Sequence, residues 1–227
     1  MVSLFRSRSG AESPDRLEKE LASLEAQAIS ASPGYETQFL NRAGNLCVEA
    51  GQAPRALGYY GRAIDAYLES GRFSAAEVLC RKVLQIAPNA VRARGTLAWL
   101  ALGKGFQAST RKELAEYVAA AERQGQQALA AKQLMMMAEA ASDVDLRQEI
   151  AEHLLQLEEA EKADQIFSLV FEERNGLRTP PIPDEGKLWA KLLRAALMGP
   201  KELHQQALGQ TDEDSDALPS LTRNEVA

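Results

Sequence analysis

The sequence predicts an all-α protein in which antiparallel helical hairpins stack into an array, and three observations support this prediction. Apolar residues recur three and four positions apart along most of the chain, which is the period of an amphipathic helix. No stretch alternates between apolar and polar residues with the period of two that a half-buried strand requires. Turn-forming positions interrupt the helical periodicity at short, regular intervals, near Gly51, Gly71, Pro88, Gly105, Gly125, Ser142 and Glu158.

Five of these turn positions share one surrounding pattern, namely Gly51, Gly71, Gly105, Gly125 and, more weakly, Glu158. A small or β-branched apolar residue lies seven positions before the turn, and an apolar or aromatic residue lies nine positions after it. Small residues let the two backbones of a hairpin approach, and the larger residue fills the space beside them. Glycine suits such a turn because it adopts positive φ without strain.

The N-terminal part of the chain is predicted to hold one helix that precedes the array. Residues 1–12 are expected to be a flexible leader, since they lack an apolar segment long enough for a signal peptide. Residues 13–31 form the predicted helix, because Ser13 is a good N-cap and Pro14 suits the first helical position. Its apolar face comprises Leu17, Leu21, Leu24 and Ala28.

Residues 35–174 form the predicted helical repeat domain. The helix predicted over 53–69 illustrates its packing, because it carries a wide apolar face made of Ala56, Leu57, Tyr60, Ala63, Ile64, Tyr67 and Leu68. Two pairs have the spacing of a capping box and are expected to begin helices: Thr110 with Glu113, and Ser142 with Asp145.

Clustered prolines end the repeat domain, because proline cannot continue a helix. Residues 175–208 are predicted to form a proline hinge and a C-terminal helix that carries Leu188, Trp189 and Leu192. This helix is interpreted as a cap over the apolar face of the last hairpin, or as an interaction helix that docks on a partner or on a second copy. Residues 209–227 are acidic and poor in apolar residues, so we expect a disordered tail.

At these residues the chain resembles the tetratricopeptide repeat (TPR) family, whose units are helix-turn-helix pairs of about 34 residues. Gly44, Gly51, Ala56, Tyr60 and Ala63 occupy the positions where the family places small, turn, small, aromatic and small residues. The pattern continues through Tyr67, Gly71, Phe73, Ala76 and Pro88, and it recurs around Glu158 through Ala151, Leu154, Ala163, Phe167 and Val170. Turn spacings of both 20 and 34 residues leave open which helices pair as hairpins.

The resemblance implies a right-handed α-solenoid with N-terminal and C-terminal capping helices. It also implies that the first helix of each hairpin lines a concave groove that binds a protein partner. If the helix at 36–50 is such a helix, Asn41, Arg42 and Asn45 would face the groove, where amide and guanidinium groups suit a peptide backbone or carboxylate. The family's chaperone-tail clamp would rest on Asn45 alone, without the expected lysines. A solvated polar helix face is the alternative.

A second candidate for partner binding is the segment that contains Arg92, Arg94 and Trp99, since these residue types anchor interfaces. Gly95 lies between them inside a predicted helix, where glycine costs about 1 kcal/mol relative to alanine. A close helix approach or access for a ligand backbone would explain that cost. The alternative places Trp99 in a hairpin core and both arginines in solvent.

Composition argues against several other classes of function. The net charge of −6 disfavours a general nucleic-acid binder. Cys47 and Cys80 are expected to be buried thiols, and with His153 and His204 as the only histidines no metal-ligand spacing or catalytic triad is found. We therefore expect neither catalysis nor a cofactor.

The sequence thus predicts a cytoplasmic, non-enzymatic scaffold or adaptor that binds a protein partner on the concave face of the array. We expect no nucleic-acid partner and no integral membrane segment, because the longest apolar stretch is too short to span a bilayer. The alternative is a structural subunit of a larger complex, peripherally associated with a membrane and held by the N-terminal and C-terminal helices. A regulatory domain and a homo-oligomer also remain open.

Overall fold

The computed structural model describes residues 14–105, 107–179 and 186–191, and within them the chain is helical without a strand. The all-α prediction is therefore confirmed for this part of the chain. A short helical segment at 186–191, which we call the C-terminal segment, follows nine longer helices. These are α1 (Pro14–Ser30), α2 (Glu36–Glu49), α3 (Ala53–Glu69), α4 (Phe73–Ile86), α5 (Val91–Gly103), α6 (Gln107–Arg123), α7 (Gln127–Ala140), α8 (Val144–Gln156) and α9 (Ala160–Arg174).

All five predicted turn positions lie between helices and have positive φ. The angle is 72° at Gly51 and 63° at Glu158, the one residue other than glycine with positive φ among the described residues. Both turns make the same pair of hydrogen bonds. In the first, Gln52 N–H donates to Cys47 O at 2.7 Å and Gly51 N–H to Val48 O at 3.0 Å. In the second, Glu159 N–H donates to Leu154 O at 2.9 Å and Glu158 N–H to Leu155 O at 3.0 Å. This is the Schellman arrangement, which requires a left-handed residue after the helix.

Replacing Glu158 with glycine is expected to raise the free energy of unfolding by about 0.5 kcal/mol, because the loss of Cβ relieves left-handed strain at the turn. Urea denaturation monitored by circular dichroism measures the change. Glu158→Ala is the matched control, since it removes the exposed carboxylate and keeps Cβ. An equal gain in both variants would contradict the strain explanation.

Consecutive helices pack against each other, and several are also bonded to the helix two positions along the chain. A methyl group at Gly44 on α2 would collide with the Tyr60 ring on α3, so these two backbones approach closely. Tyr59 donates to Glu25 on α1 at 2.8 Å, and Gln107 donates to Asp143 before α8 at 2.5 Å. These pairs are 34 and 36 residues apart, and other bonds between alternate helices, Asp65 with Arg92 and Arg81 with Glu113, span 27 and 32 residues.

Both predicted capping boxes are wrong. Helix α6 begins at Gln107, so Thr110 lies inside it and is buried, while Glu113 forms an ion pair with Arg81 at 3.2 Å. At α8 the N-cap is Asp143 rather than Ser142, because the Asp143 carboxylate accepts from Leu146 N–H at 2.7 Å. Each error shifts a helix start by only a few residues and leaves the order of elements unchanged.

The two terminal helices of the array expose polar faces to solvent. On α9 the exposed face contains Glu161, Asp164, Gln165, Ser168 and Glu172. On α1 it contains Asp15, Arg16, Lys19, Ser23 and Gln27, but Ala22, Ala26 and Ile29 are exposed as well, and Ile29 is 81% exposed. A row of packed helices needs such polar faces at its ends to remain soluble. Phe171, which is also exposed, is the main apolar exception on the outer face of α9.

One ion pair is buried between the last two helices. Arg147 on α8 and Glu173 on α9 are bonded to each other, and their side chains are 3% and 1% exposed. Removing two charges from water costs several kcal/mol, so the pair is tolerated only when both partners are present.

Arg147→Met is expected to lower the free energy of unfolding by about 3–5 kcal/mol, because it leaves the Glu173 carboxylate buried without its partner. The double variant Arg147→Met, Glu173→Leu is expected to recover most of that loss, since it removes both charges. Thermal or urea denaturation of the two variants provides the comparison. A double variant no more stable than the single one would show that the pair itself holds α8 to α9.

None of the helices in the described part of the chain is long and apolar enough to cross a membrane. The predicted leader (1–12), most of the predicted hinge, Leu192 and the predicted tail (209–227) lie outside the described residues.

Candidate functional site

A cavity opens between α3, α5 and α7, which lie next to one another in the array. Its volume is about 380 Å³. We call it the groove pocket and define it by residues from all three helices: Leu57, Gly61 and Ile64 from α3, Thr96 from α5, and Leu129 and Gln133 from α7. A cavity of this size accommodates one or two amino-acid side chains or a small organic molecule.

The pocket is open because α3 has a glycine where a side chain would otherwise fill the space. A Cβ atom at Gly61 would meet only Nη1 of Arg92, at 3.8 Å. Leu57 and Ile64 lie about one turn on either side of Gly61 and form the apolar wall, and Leu57 remains half-buried. The apolar face of α3 is thus wider than its packing against α2 and α4 requires.

Tyr117 of α6 also lines the pocket and brings a hydroxyl group that has no hydrogen-bond partner. The residue is 1% exposed. Its ring lies against Gly95 of α5, where a Cβ atom would be 3.0 Å from Cε2, so glycine at this position allows the close approach. Burial raises the pKa of Tyr117, and the hydroxyl stays protonated as a donor. A ligand in the pocket could therefore supply the missing acceptor.

Uncharged amide groups supply most of the pocket's other polar atoms. Asn89, Gln124, Gln126 and Gln133 all line the cavity. A side-chain amide offers both a donor and an acceptor, as a peptide bond does. Apolar walls beside amide groups suit an apolar side chain together with its neighbouring backbone.

Arg92 is the one predicted site residue that lines the groove pocket. It is bonded to Asp65 on α3, and the two side chains are 12% and 18% exposed. Burial raises the pKa of Asp65 more than the neighbouring Arg92 lowers it. Because the two charges neutralise each other, Arg92 does not bring an uncompensated charge to the wall, although its Nη1 would lie 3.8 Å from a Cβ atom at Gly61.

Arg94 and Trp99, which were predicted to bind a partner together with Arg92, do not line the groove pocket. Arg94 forms an ion pair with Glu116 on α6 at 2.5 Å and donates to Pro88 O at 3.3 Å. Trp99 is 1% exposed and belongs to the core, so it cannot contact a partner from this position. The predicted role of Trp99 as an interface anchor is therefore wrong, because α5 is buried on nearly all sides.

Asn41, Arg42 and Asn45 lie on α2, which does not line the groove pocket. Arg42 pairs with Glu20 on α1 at 3.1 Å. Asn45 accepts hydrogen bonds from Tyr60 at 2.8 Å and from Lys82, so its oxygen is already engaged. Their expected position in a groove depended on α2 being a groove-lining helix, whereas α2 contributes no residue to the groove pocket.

The C-terminal segment packs against the middle of the array rather than against α9. Leu188 is buried, and the Trp189 ring stacks on Phe73 at the start of α4, with ring centroids 4.0 Å apart. Lys191 forms an ion pair with Glu139 near the end of α7 at 2.7 Å. The interpretation of this helix as a cap over the last hairpin is therefore wrong for the part described. Leu192 lies outside the described residues.

Sequence reasoning missed the residues that shape the pocket, above all Gly61 and Tyr117. A glycine between two apolar residues of one helical face is a signal for a cavity or a close approach, and Gly61 between Leu57 and Ile64 provides it. No sequence pattern identifies the unpaired hydroxyl of Tyr117, because it depends on what surrounds the ring.

Tyr117→Phe is expected to leave the free energy of unfolding unchanged or to raise it by up to about 1 kcal/mol, because it removes a buried hydroxyl that has no partner. Tyr60→Phe is the matched control. It is expected to lower the free energy of unfolding by about 1 kcal/mol, since the Tyr60 hydroxyl donates to Asn45 at 2.8 Å. Denaturant titration measures both. Equal losses in the two variants would mean that the Tyr117 hydroxyl is already bonded in solution.

Among the described residues, no three of histidine, cysteine, aspartate and glutamate are placed to hold a metal ion. Cys47 and Cys80 are buried and unpaired by a disulfide. Burial raises the pKa of the Cys80 thiol to about 12, so it is not a reactive thiolate at neutral pH. A scan against protein-family models and searches of curated proteins and of solved structures found nothing that matches the chain.

Proposed function

We propose that this protein is a non-enzymatic interaction module that binds an extended segment of a protein partner in the groove pocket. The observation that carries the proposal is a cavity with apolar walls, one of whose lining residues, Tyr117, has a buried hydroxyl group without a hydrogen-bond partner. A bound segment would insert one apolar side chain and give a backbone carbonyl to the Tyr117 hydroxyl. The amide side chains around the pocket would satisfy the remaining backbone groups.

The arrangement of the helices supports the same class of function. Hairpin turns with positive φ, close packing of Gly44 on Tyr60, and bonds between residues 34 and 36 positions apart are what a TPR-type array would have. We therefore include in the proposal that the helices form a right-handed α-solenoid of this type, with the groove on its concave face. The resemblance to TPR proteins rests only on the sequence pattern and the helix contacts of this chain.

The charges around the groove pocket indicate which kind of side chain the partner would insert. The neutralised pair of Arg92 and Asp65 leaves no free charge at this wall, and the other polar groups that line the cavity are amides and hydroxyls. A charged side chain placed in the pocket would lose its hydration without gaining an opposite charge. The inserted side chain is therefore apolar, and binding should depend little on salt concentration.

The alternative of a structural subunit held by its terminal helices has less support. Trp189, its main candidate contact, is stacked on Phe73 of the same chain. Helix α1 packs on α2 and is bonded to α3, and its exposed face is polar apart from Ala22, Ala26 and Ile29. Neither terminal element presents a broad apolar surface in the described part of the chain.

Filling the groove pocket is expected to abolish partner binding without unfolding the protein. The probe is a 12-residue peptide selected by phage display against the immobilised full-length chain, with its Kd measured by isothermal titration calorimetry. Gly61→Leu places a side chain in the cavity, where only Arg92 lies close, and is expected to weaken binding at least tenfold.

Gly61→Ala is the matched control for this experiment. It is expected to keep the peptide affinity and to raise the free energy of unfolding by about 1 kcal/mol, since alanine favours the helix. Substitution of Arg92 is avoided, because it would leave Asp65 half-buried without its partner. Unchanged affinity in Gly61→Leu, or failure to select any peptide, would contradict the proposal.

A further inference from the structure

The C-terminal segment is held against three helices, and each contact lies at a helix end. Trp189 stacks on Phe73, the first residue of α4, with an angle of 10° between the rings. A Cβ atom at Gly103, the last residue of α5, would lie 2.6 Å from Cη2 of Trp189, so the indole lies directly against the α5 backbone. Lys191 forms an ion pair at 2.7 Å with Glu139, next to the last residue of α7. The segment therefore joins the start of α4 to the ends of α5 and α7.

The same three helices line the groove pocket with residues nearer their other ends. Val83 comes from the last turn of α4, Thr96 from the first half of α5, and Leu129 and Gln133 from the first half of α7. Thr96 lies seven residues before Gly103, which is about 10 Å along the helix axis. Because a helix is a stiff element, a contact that fixes one end also limits where the other end can lie.

Helix α7 is the wall of the groove pocket whose position depends most on such a contact. It is packed less closely on α5, α6 and α8 than α5 is on α6, and it does not pack extensively on α4. The C-terminal segment supplies the missing link. Leu188 is buried in the core and Trp189 lies on α4 and α5, while Lys191, two residues later, pairs with Glu139 of α7.

The spacing of the helices matters for binding because dispersion attraction is short-ranged. A gap of about 0.5–1 Å between a bound side chain and one wall of the pocket loses about a quarter to a half of the attraction to that wall. The ion pair of Lys191 with Glu139 is largely exposed, with side-chain exposures of 30% and 62%, so it contributes little to the stability of the fold. It is suited to setting where α7 lies relative to α5.

We propose that Trp189 is a positioning residue for the groove pocket, which holds α5 and α7 at the spacing that the bound segment of the partner requires. It acts through Phe73 and Gly103, and through Lys191 on α7. None of the described residues of the C-terminal segment lines the pocket, so the segment stays docked and does not touch the partner. This inference rests on the proposed function, since it concerns the affinity of the same pocket.

The experiment measures the Kd of the peptide selected by phage display for full-length variants, again by isothermal titration calorimetry. Trp189→Ala removes the ring and is expected to weaken peptide binding about fivefold. Trp189→Phe is the matched control and is expected to keep most of the wild-type affinity, because a phenylalanine ring still stacks on Phe73. Circular dichroism at the titration temperature confirms that the helices remain in both variants.

Gly103→Ala tests the same contact from the side of α5, because its added methyl group would collide with the indole and displace it. It is expected to weaken peptide binding as Trp189→Ala does. In the double variant Gly103→Ala, Trp189→Ala the two losses are expected not to add, since no ring is left for the methyl group to displace. Tyr60→Phe lowers stability without changing the pocket lining or the segment, and it is expected to leave Kd unchanged.

The outcomes separate this inference from the proposed function. Wild-type affinity in Trp189→Ala, together with loss of binding in Gly61→Leu, would overturn the inference and leave the proposed function standing. Losses that add fully in the double variant, or an equal loss in Tyr60→Phe, would also overturn it, because the effect would then reflect stability alone. Unchanged affinity in Gly61→Leu contradicts the proposed function itself, and the inference falls with it.

Discussion

Close packing of a small residue against an aromatic ring is the constraint on which this fold depends. Gly44 lies under Tyr60 and Gly95 lies under Tyr117, and in both places a methyl group would meet the ring. Because the helices approach so closely, the chain must reverse within two or three residues, which the left-handed turns allow. Pairs of helices built in this way bring alternate helices into contact, and residues of α3, α5 and α7 line the groove pocket that lies between them.

The fold could be predicted from the sequence because its determinants are local. A turn at Gly51 or Gly71 is specified by the residues within about three turns of helix on either side, and the structure has both turns where the pattern places them. The helix starts were less predictable. Asp143 and Ser142 are both good N-caps, and the choice between them depends on which side chain reaches Leu146 N–H. That choice is made by tertiary packing.

The candidate site was less predictable, because it depends on which helices face one another. Arg92 was identified by residue type and does line the pocket. Its guanidinium group, however, forms an ion pair with Asp65, a residue 27 positions away. Trp99 has the residue type of an interface anchor and is a core residue instead, since α5 is surrounded by its neighbours. The pocket itself results from a missing side chain at Gly61, and its importance is visible only when α5 and α7 are in place.

The contact between Trp189 and Phe73 has a consequence for the order of folding. Hairpins and alternate-helix contacts join residues at most a few tens of positions apart, so the array closes only short loops and can form from any point along its length. Trp189 and Phe73 are more than a hundred positions apart. The surface that receives the Trp189 ring is made by Phe73 of α4 and Gly103 of α5, so it exists only after these two helices have paired. During synthesis on the ribosome α1 to α9 therefore leave the exit tunnel before Trp189 does, so this contact can form only after those helices have emerged.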